Sequence, residues 1–238
     1  IHKYGGTHNS SCHSVAISSD GKSRLFSVHP NDRSNYMAKL LTYGDYFISF
    51  MHGGPMVVSK NNTVAFTSKE KIRQLPAYYS GNGYNWNRNV RLSGDSVYFV
   101  DSECRIVVYD LSKLLAIAEP ERAKFEPKIE KGTFEELCVD SEGRVTAVSK
   151  EGRLSRVPED SNTWELSTLA SGKLGTQFGA LETLNGCVAV ASFCPTAKLR
   201  AYSLFDANLQ LLAFANTKAP NAYIVKNMLI FAKKEMLH

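Results

Sequence analysis

Residues 139–157 read VDSEGRVTAVSKEGRLSRV, and the fold follows from the order of strands and turns in this stretch. The run VTAV at 145–148 is rich in β-branched residues and apolar on both faces, which is typical of a strand inside a buried sheet. A polar turn that ends in glycine precedes it at 140–143, and another follows at 149–152. In RLSRV at 153–157, polar and apolar residues alternate, which indicates a strand with one solvated face. The stretch therefore predicts strands joined by tight hairpin turns.

Runs of this kind recur along the chain. Six of them share the apolar, strand-like character: LFSV at 25–28, VAFT at 64–67, VYFV at 97–100, VTAV at 145–148, VAVA at 188–191 and LIFA at 229–232. Their first residues lie 33 to 48 positions apart, with a mean of about 41, which matches the length of a four-stranded propeller blade.

Neighbouring strands complete the repeated unit. Four of the runs are followed by a strand that begins with a basic residue, at 71–75, 105–109, 153–157 and 198–202. Three runs are preceded by a strand that ends in a turn, at 15–17, 137–139 and 181–184. The sequence thus predicts an all-β chain in which residues 1–238 form a single closed β-propeller domain of four-stranded blades. Val97, Val145 and Val188 are expected on inner strands.

Two further expectations concern the ends and the longest gap in the period. Six blades are predicted, or seven if the chain is longer than shown, and residues 1–4 are expected to complete the last blade, because closure protects sheet edges. The gap contains SKLLAIAEPERAKFEPKIEKG at 112–132. It predicts a short helix at 112–119, ended by Pro120, and then an exposed linker.

Two segments resemble a WD repeat. CHSVAISSDG at 12–21 resembles the opening of such a repeat, in which a histidine precedes an alternating strand and a turn. DSECRIVVYDL at 101–111 looks like its closing part, with Tyr109 and Asp110 in place of Trp-Asp. The resemblance implies a non-catalytic scaffold, one subunit of a multiprotein hetero-complex, that binds partner proteins or peptides through loops on its faces.

Composition and charge narrow the class of protein. With 43% hydrophobic and 21% charged residues, the chain is an ordinary globular protein, and it has no apolar run of the roughly 18 residues that a membrane span needs. Its five cysteines are odd in number and form no CxxC pair, which predicts reduced thiols and a cytoplasmic or nuclear location. The net charge of +5 is spread along the chain, so direct nucleic-acid binding is not predicted.

No catalytic motif is present in the sequence: GxSxG, HExxH, a Walker loop and GxGxxG are all missing. The chain is therefore predicted not to be an enzyme, with no cofactor and no metal. Three weaker alternatives are a metal site at His8, Cys12 and His13, a catalytic His52 beside glycines, and a calcium site of the kind found in six-bladed hydrolases. The side chains considered for calcium are Glu135, Glu136, Asp140 and Asn185.

The segment AYYSGNGYNWNRN at 77–89 has neither helical nor strand periodicity and is predicted to be a loop. Tyr, Trp and Arg dominate the energetics of protein interfaces. The predicted partner-binding residues are Tyr78, Tyr79, Tyr84, Trp86 and Arg88. Two alternatives stay open: the rings fold inward over the groove between two blades, or they point outward to a partner. A third hypothesis is a sugar or other small ligand, which asparagine amides and flat rings also suit.

Overall fold

The computed structural model describes residues 2–3, 13–17, 23–27, 37–51, 53–61, 63–73, 90–158, 163–165, 177–184, 186–194, 199–217, 221–225 and 228–232. Every structural statement below concerns these residues. The predicted site residues Tyr78, Tyr79, Tyr84, Trp86 and Arg88 lie outside them, as do Cys12, His52 and Asn185.

Six antiparallel sheets follow one another along the described chain. Sheet 1 comprises β1 (His2–Lys3), β2 (His13–Ile17) and β3 (Ser23–Ser27). Sheet 2 comprises β4 (Met37–Tyr43), β5 (Tyr46–Met51), β6 (Pro55–Lys60) and β7 (Thr63–Lys71). Sheet 3 comprises β8 (Val90–Ser93), β9 (Ser96–Val100), β10 (Ile106–Asp110) and, after two helices, β11 (Lys128–Glu130).

The second half of the chain continues in the same way. Sheet 4 comprises β12 (Phe134–Val139), β13 (Val145–Ser149), β14 (Arg153–Val157) and β15 (Thr163–Glu165). Sheet 5 comprises β16 (Gln177–Leu184), β17 (Cys187–Cys194), β18 (Leu199–Phe205) and β19 (Leu211–Thr217). Sheet 6 comprises β20 (Asn221–Val225) and β21 (Met228–Ala232). In each four-stranded sheet the strands pair in chain order, so the predicted four-stranded unit is confirmed.

The predicted inner strands are confirmed in three sheets and wrong in a fourth. Val97, Val145 and Val188 lie on β9, β13 and β17, each the second strand of its sheet, and at most 8% of each residue is exposed. The run at 64–67 instead belongs to β7, the last strand of sheet 2, and 53% of Val64 is exposed. Only one face of this strand is buried: Phe66 and Ser68 are buried, whereas Thr67 and Lys69 between and after them are exposed.

Strands β4 to β6 all precede the run at 64–67, so this run lies on the fourth strand of sheet 2 and not on the second. The hairpin between β4 and β5 pairs Tyr43 with Tyr46, and that between β8 and β9 pairs Ser93 with Ser96. In both, a Gly-Asp pair forms the turn, and Gly44 and Gly94 have φ values of 54° and 53°. Glycine at the first central position is what a two-residue type II′ hairpin requires. The sequence LTYGDYF therefore contains the first hairpin turn of sheet 2, which the prediction based on the run at 64–67 did not include.

The core lies between neighbouring sheets. Sheets 2 and 3 share a buried cluster in which the Phe50 and Phe99 rings pack edge to face, with centroids 5.3 Å apart. A second cluster joins sheets 3 and 4, and a third joins sheets 4 and 5. The first strands also meet, because β12 lies against β8 on one side and β16 on the other. Sheets 2 to 5 are thus arranged side by side, as blades are, and the first strands of sheets 3, 4 and 5 are neighbours.

The N-terminal strand does not join the last sheet. His2 pairs with Ser14 and Lys3 with His13, so β1 is the edge strand of sheet 1. The prediction that residues 1–4 complete the final blade is therefore wrong for the two of these residues that the structure describes. Backbone pairing to β2 is the local alternative, and it covers the edge of β2 in sheet 1 instead of an edge of sheet 6.

The insertion in sheet 3 also differs from the prediction. Helix α1 (Leu111–Ala116) is the expected short helix, but Pro120 lies in the first turn of a second helix, α2 (Glu119–Arg122). Proline is favoured there because the first helical N–H groups need no partner within the helix. The following residues are largely exposed, as predicted, but they are more than a linker: Phe125 stacks on buried Tyr109, and β11 completes sheet 3.

Candidate interaction site

The strand order gives the four-stranded sheets two distinct ends. One end carries the turns that join first and second strands, and we call it the Asp95 face. Here Tyr43 Oη donates to Asp95 Oδ1 at 2.9 Å, and Ser93 Oγ donates to the Asp140 carbonyl at 3.2 Å. Thr183 Oγ1 donates to the Val139 carbonyl at 3.4 Å. These bonds link the turns of sheets 2 to 5 in order.

Strand β7 ends and β8 begins at the opposite end, which we call the Arg73 face. The described chain stops at Arg73 and resumes at Val90, the fully buried first residue of β8. In the chain, the aromatic segment 77–89 therefore falls between the last strand of sheet 2 and the first strand of sheet 3. Arg73 and Val90 flank this connection in the chain, and the five predicted binding residues lie outside the described residues.

Backbone hydrogen bonds hold the first end of this connection. Ile72 N donates to the Gly54 carbonyl, and Arg73 N donates to the Val100 carbonyl, both at 2.8 Å. Ser102 N donates to the Lys71 carbonyl, also at 2.8 Å. Sheet 2 is thus joined to the β9–β10 turn of sheet 3 just before the aromatic segment begins.

The Arg73 side chain extends this junction to sheet 4. Its Nη1 lies 2.7 Å from Cys104 Sγ and 3.1 Å from the Phe134 carbonyl, and Nη2 lies 2.8 Å from Glu135 Oε1. The two charged side chains are 13% and 16% exposed. One guanidinium therefore contacts residues of sheets 3 and 4 at a largely buried position.

A repeated turn shapes both faces. Asp101, Asp140 and Asp206 each accept hydrogen bonds through Oδ1 from the backbone N–H groups two and four residues later. The fourth residue of each turn has a positive φ: 66° at Cys104, 79° at Gly143 and 57° at Leu209. An Asx turn that ends in the left-handed region explains the shared geometry. The sequence pair DSECR and DSEGR is the visible signal of it.

In two of these turns the aspartate also pairs with arginine. Arg105 Nε lies 2.8 Å from Asp101 Oδ2, and Arg144 Nε lies 2.7 Å from Asp140 Oδ2. Burial opposes ionisation of Asp140, but hydrogen bonds from the Arg144 side chain and backbone outweigh it and lower the pKa of this carboxyl. Asp140 is therefore a carboxylate at neutral pH.

Arg91 also makes a hydrogen bond to a strand of another sheet. Arg91 on β8 donates through Nη2 to the Leu181 carbonyl on β16 at 2.8 Å, past β12 of sheet 4. Buried Glu136 on β12 accepts from Leu181 N at 3.1 Å. Cys138 lies on the same strand, and burial raises the pKa of its thiol to about 12. The Arg91 and Glu136 hydrogen bonds thus join the first strands of sheets 3, 4 and 5.

Sheets 4 and 5 share a further polar contact. Arg156 on β14 donates to Thr146 Oγ1 at 2.6 Å and to the Ala207 carbonyl in the turn after β18. Trp164 Nε1 donates to the Leu209 carbonyl in the same turn. The turn that begins at Asp206 is therefore fixed by side chains from the neighbouring sheet.

The residues at the WD-like position have structural contacts. Tyr109 is buried and donates its hydroxyl hydrogen to Glu70 on β7, and burial together with this bond raises the pKa of the tyrosine. Asp110 is the N-cap of α1 and accepts from Lys113 N at 3.1 Å. The pair thus links sheet 2 to sheet 3 and starts the helical insertion.

The three described carboxylates considered for calcium do not form one site. Glu135 pairs with Arg73, Glu136 accepts a backbone N–H, and Asp140 pairs with Arg144. Asp140 lies at the Asp95 face, while Glu135 lies at the other end of β12. Across the described ranges, no group of three His, Cys, Asp or Glu side chains is placed to hold a metal ion. Asn185, His8, Cys12 and His52 lie outside those ranges, and of His13 only the backbone is described.

Comparison with known proteins gives a fold but no family. No protein-family model matches the chain, and no curated protein matches its sequence. BamB from Moraxella catarrhalis matches 90% of this chain and 64% of its own, at 12% identity and a TM-score of 0.51. A chain in the mitotic checkpoint complex matches 86% of this chain and 61% of its own, at 11% identity and a TM-score of 0.54.

Both similar chains are β-propellers, so the likeness supports a β-propeller type of fold for this chain. The chain spans less than two thirds of the length of either one. Neither helix of the described part is long and apolar enough to cross a membrane.

Proposed function

We propose that this chain is a non-catalytic, WD-repeat-like propeller subunit that binds partner proteins or peptides through its Arg73 face. The observation that carries the proposal is the placement of the aromatic segment. The segment follows Arg73, whose guanidinium is bonded to two neighbouring sheets, and precedes fully buried Val90. Binding residues on loops held by a rigid scaffold are the usual arrangement for recognition.

The residue types of the segment fit a protein partner. Tyr84, Trp86 and Arg88 are of the kinds that contribute most free energy at protein interfaces. One of the two similar chains comes from a structure of the mitotic checkpoint complex, so a related fold takes part in a protein assembly there. Membership of a hetero-complex is part of the proposal for this chain.

Two further parts of the proposal concern the ring and the compartment. We place the sheets in a closed ring of six blades, because six sheets follow in chain order and blade edges need protection. We also place the protein in the cytoplasm or nucleus. Cys104, Cys138 and Cys187 are free thiols, which suits a reducing compartment.

The variant Trp86→Ala tests the proposed binding surface. If Trp86 points to a partner, the variant should unfold within about 0.5 kcal/mol of wild type and bind its partner about 2 kcal/mol more weakly. The partner is first identified by affinity capture and mass spectrometry, and binding is then measured with the purified protein. Tyr46→Ala is the matched control, because Tyr46 is an aromatic residue at the Asp95 face, with the Lys60 ammonium 5.2 Å from its ring centroid.

Two results would contradict the proposal. If Trp86→Ala loses roughly 3 kcal/mol of stability but binds normally when folded, Trp86 belongs to the core of the wild-type protein. A glycan-array signal that Trp86→Ala abolishes, without any protein partner, would favour the small-ligand hypothesis instead.

A further inference from the structure

The last strands of the four-stranded sheets are edge strands, and three of them are protected. These edge strands are β7, β11, β15 and β19. Strands β11 and β15 have three residues each and contain charged residues. On β7, Arg122 of α2 donates to the Ala65 carbonyl at 3.3 Å, and Lys69 pairs with Glu126 at 2.9 Å. Short strands, charges and a covering helix are the usual devices that keep an edge from pairing with another chain.

Strand β19 (Leu211–Thr217) differs from the other three in length and charge. Its seven residues, LLAFANT, include no charged residue. It pairs with β18, and no other strand of the described part pairs with it. After a register shift at Leu212, the residues from Ala213 to Thr217 pair one by one with those from Leu204 to Arg200. A long, uncharged and regularly paired edge is a template for a further strand.

The side chains of β19 add an apolar surface to this edge. Across the part of the chain that the structure describes, three large hydrophobic side chains are exposed, and two of them lie on β19. These two are Leu212, which is 56% exposed, and Phe214, which is 38% exposed. The side chains of an added strand would lie about 5 Å from their neighbours on β19. An apolar residue beside Phe214 would therefore remove both side chains from water.

We propose that β19 is a docking edge for an extended, uncharged peptide segment of a partner protein, which adds to sheet 5 as a fifth strand. Such an addition gains affinity from main-chain hydrogen bonds and specificity from alternate side chains. The size of the edge favours a peptide over a second copy of this chain. Seven residues are far fewer than the roughly 20 to 30 on each side of a stable interface between folded proteins.

The composition of the edge sets the composition of the peptide. A charged residue beside Leu212 or Phe214 would lose water without gaining a partner of opposite charge. Apolar residues at alternate positions of the peptide are therefore expected. This surface is separate from the Arg73 face, so the inference does not depend on the proposed function.

Selection from a random heptapeptide library displayed on phage tests the inference. The wild-type protein should enrich uncharged peptides with apolar residues at alternate positions. Synthetic copies of these peptides should bind Phe214→Lys at least about tenfold more weakly, because the lysine places a charge beside the added strand. Leu212→Lys is a second variant in case the first does not fold. Val64→Lys is the matched control, because Val64 is 53% exposed on the protected edge strand β7, and it should bind like wild type.

Hydrogen exchange then locates the bound peptide. An enriched peptide at saturation should slow exchange across 211–217 at least about tenfold and leave 63–71 unchanged. The inference is overturned if no peptide is enriched, if the enriched peptides bind both lysine variants of β19 as tightly as wild type, or if protection lies outside 211–217. Self-association of the wild type that Phe214→Lys abolishes would assign the edge to a second copy and would also overturn it. All of these results are independent of whether Trp86→Ala weakens binding.

Discussion

The repeated aspartate turn gives a prediction whose magnitude follows from its contacts. Asp140 is 5% exposed, and its Oδ1 accepts from Glu142 N at 3.0 Å and Arg144 N at 2.9 Å. Its Oδ2 pairs with Arg144 Nε at 2.7 Å and lies 3.8 Å from Arg156 Nη1. Asp140→Ala would leave two N–H groups unpaired and remove the carboxylate beside two arginines. We expect a loss of about 3 kcal/mol.

Asp206 provides the matched control. It makes the same two backbone contacts, to Asn208 N at 2.8 Å and Gln210 N at 2.7 Å, but glutamine occupies the position of the arginine. Asp206 itself is also more exposed than Asp140. Asp206→Ala should therefore cost only about 1 kcal/mol. The difference of about 2 kcal/mol is the expected contribution of the ion pair and its burial.

Urea unfolding followed by circular dichroism measures both variants, and the midpoint and slope together give the free energy of unfolding. In thermal unfolding, Asp140→Ala should lower Tm by about 6 to 12 °C for a chain of this size. A double-mutant cycle with Arg144→Ala isolates the pair. Equal costs for Asp140→Ala and Asp206→Ala, or no coupling between Asp140 and Arg144, would refute the reasoning.

Two other predictions concern burial and pH. Val188→Asp should destabilise the protein by roughly 3 kcal/mol or more, because Val188 is 1% exposed within the cluster between sheets 4 and 5. Val64→Asp, at a 53% exposed position, should change stability by less than about 0.5 kcal/mol, and equal effects would contradict the assignment of these strands. The pKa of Asp140 is lowered on folding, so its contribution to stability is present above the unfolded pKa of about 3.9. It is lost as pH falls through the folded pKa, so the stability gap between wild type and Asp140→Asn should close below about pH 4, and a gap that persists in acid would contradict the shift.

The hairpins that could be predicted from sequence are those with local signals. The stretch 139–157 carries its turn residues, its apolar run and its alternating strand within a few positions, and the structure confirms all three. The inner-strand prediction was wrong for sheet 2 because VAFT at 64–67 has the composition of a buried strand. Lys69 and Lys71, later in the same strand, are instead typical of an edge. Local hydrophobicity does not distinguish an edge strand from a central one.

The contacts between sheets could not be predicted. Arg73 and Glu135 are 62 residues apart, and Arg91 and Leu181 are 90 apart, so no spacing in the sequence relates them. Single arginines form no recognisable sequence motif, because their contacts depend on which strands the fold brings together. For the insertion, Pro120 predicts a helix stop, whereas it lies in the first turn of α2, whose Arg122 donates to the Ile117 and Ala65 carbonyls.

Site-specific photo-crosslinking would show which face of the protein meets its partners. A photoreactive phenylalanine analogue is placed at Tyr84 in one variant and at Tyr46 in another, and both are irradiated in the source cell. We predict that the Tyr84 variant forms adducts with a defined set of proteins and that the Tyr46 variant does not. Adducts with the same proteins from Tyr46 and none from Tyr84 would contradict an interface on the Arg73 face.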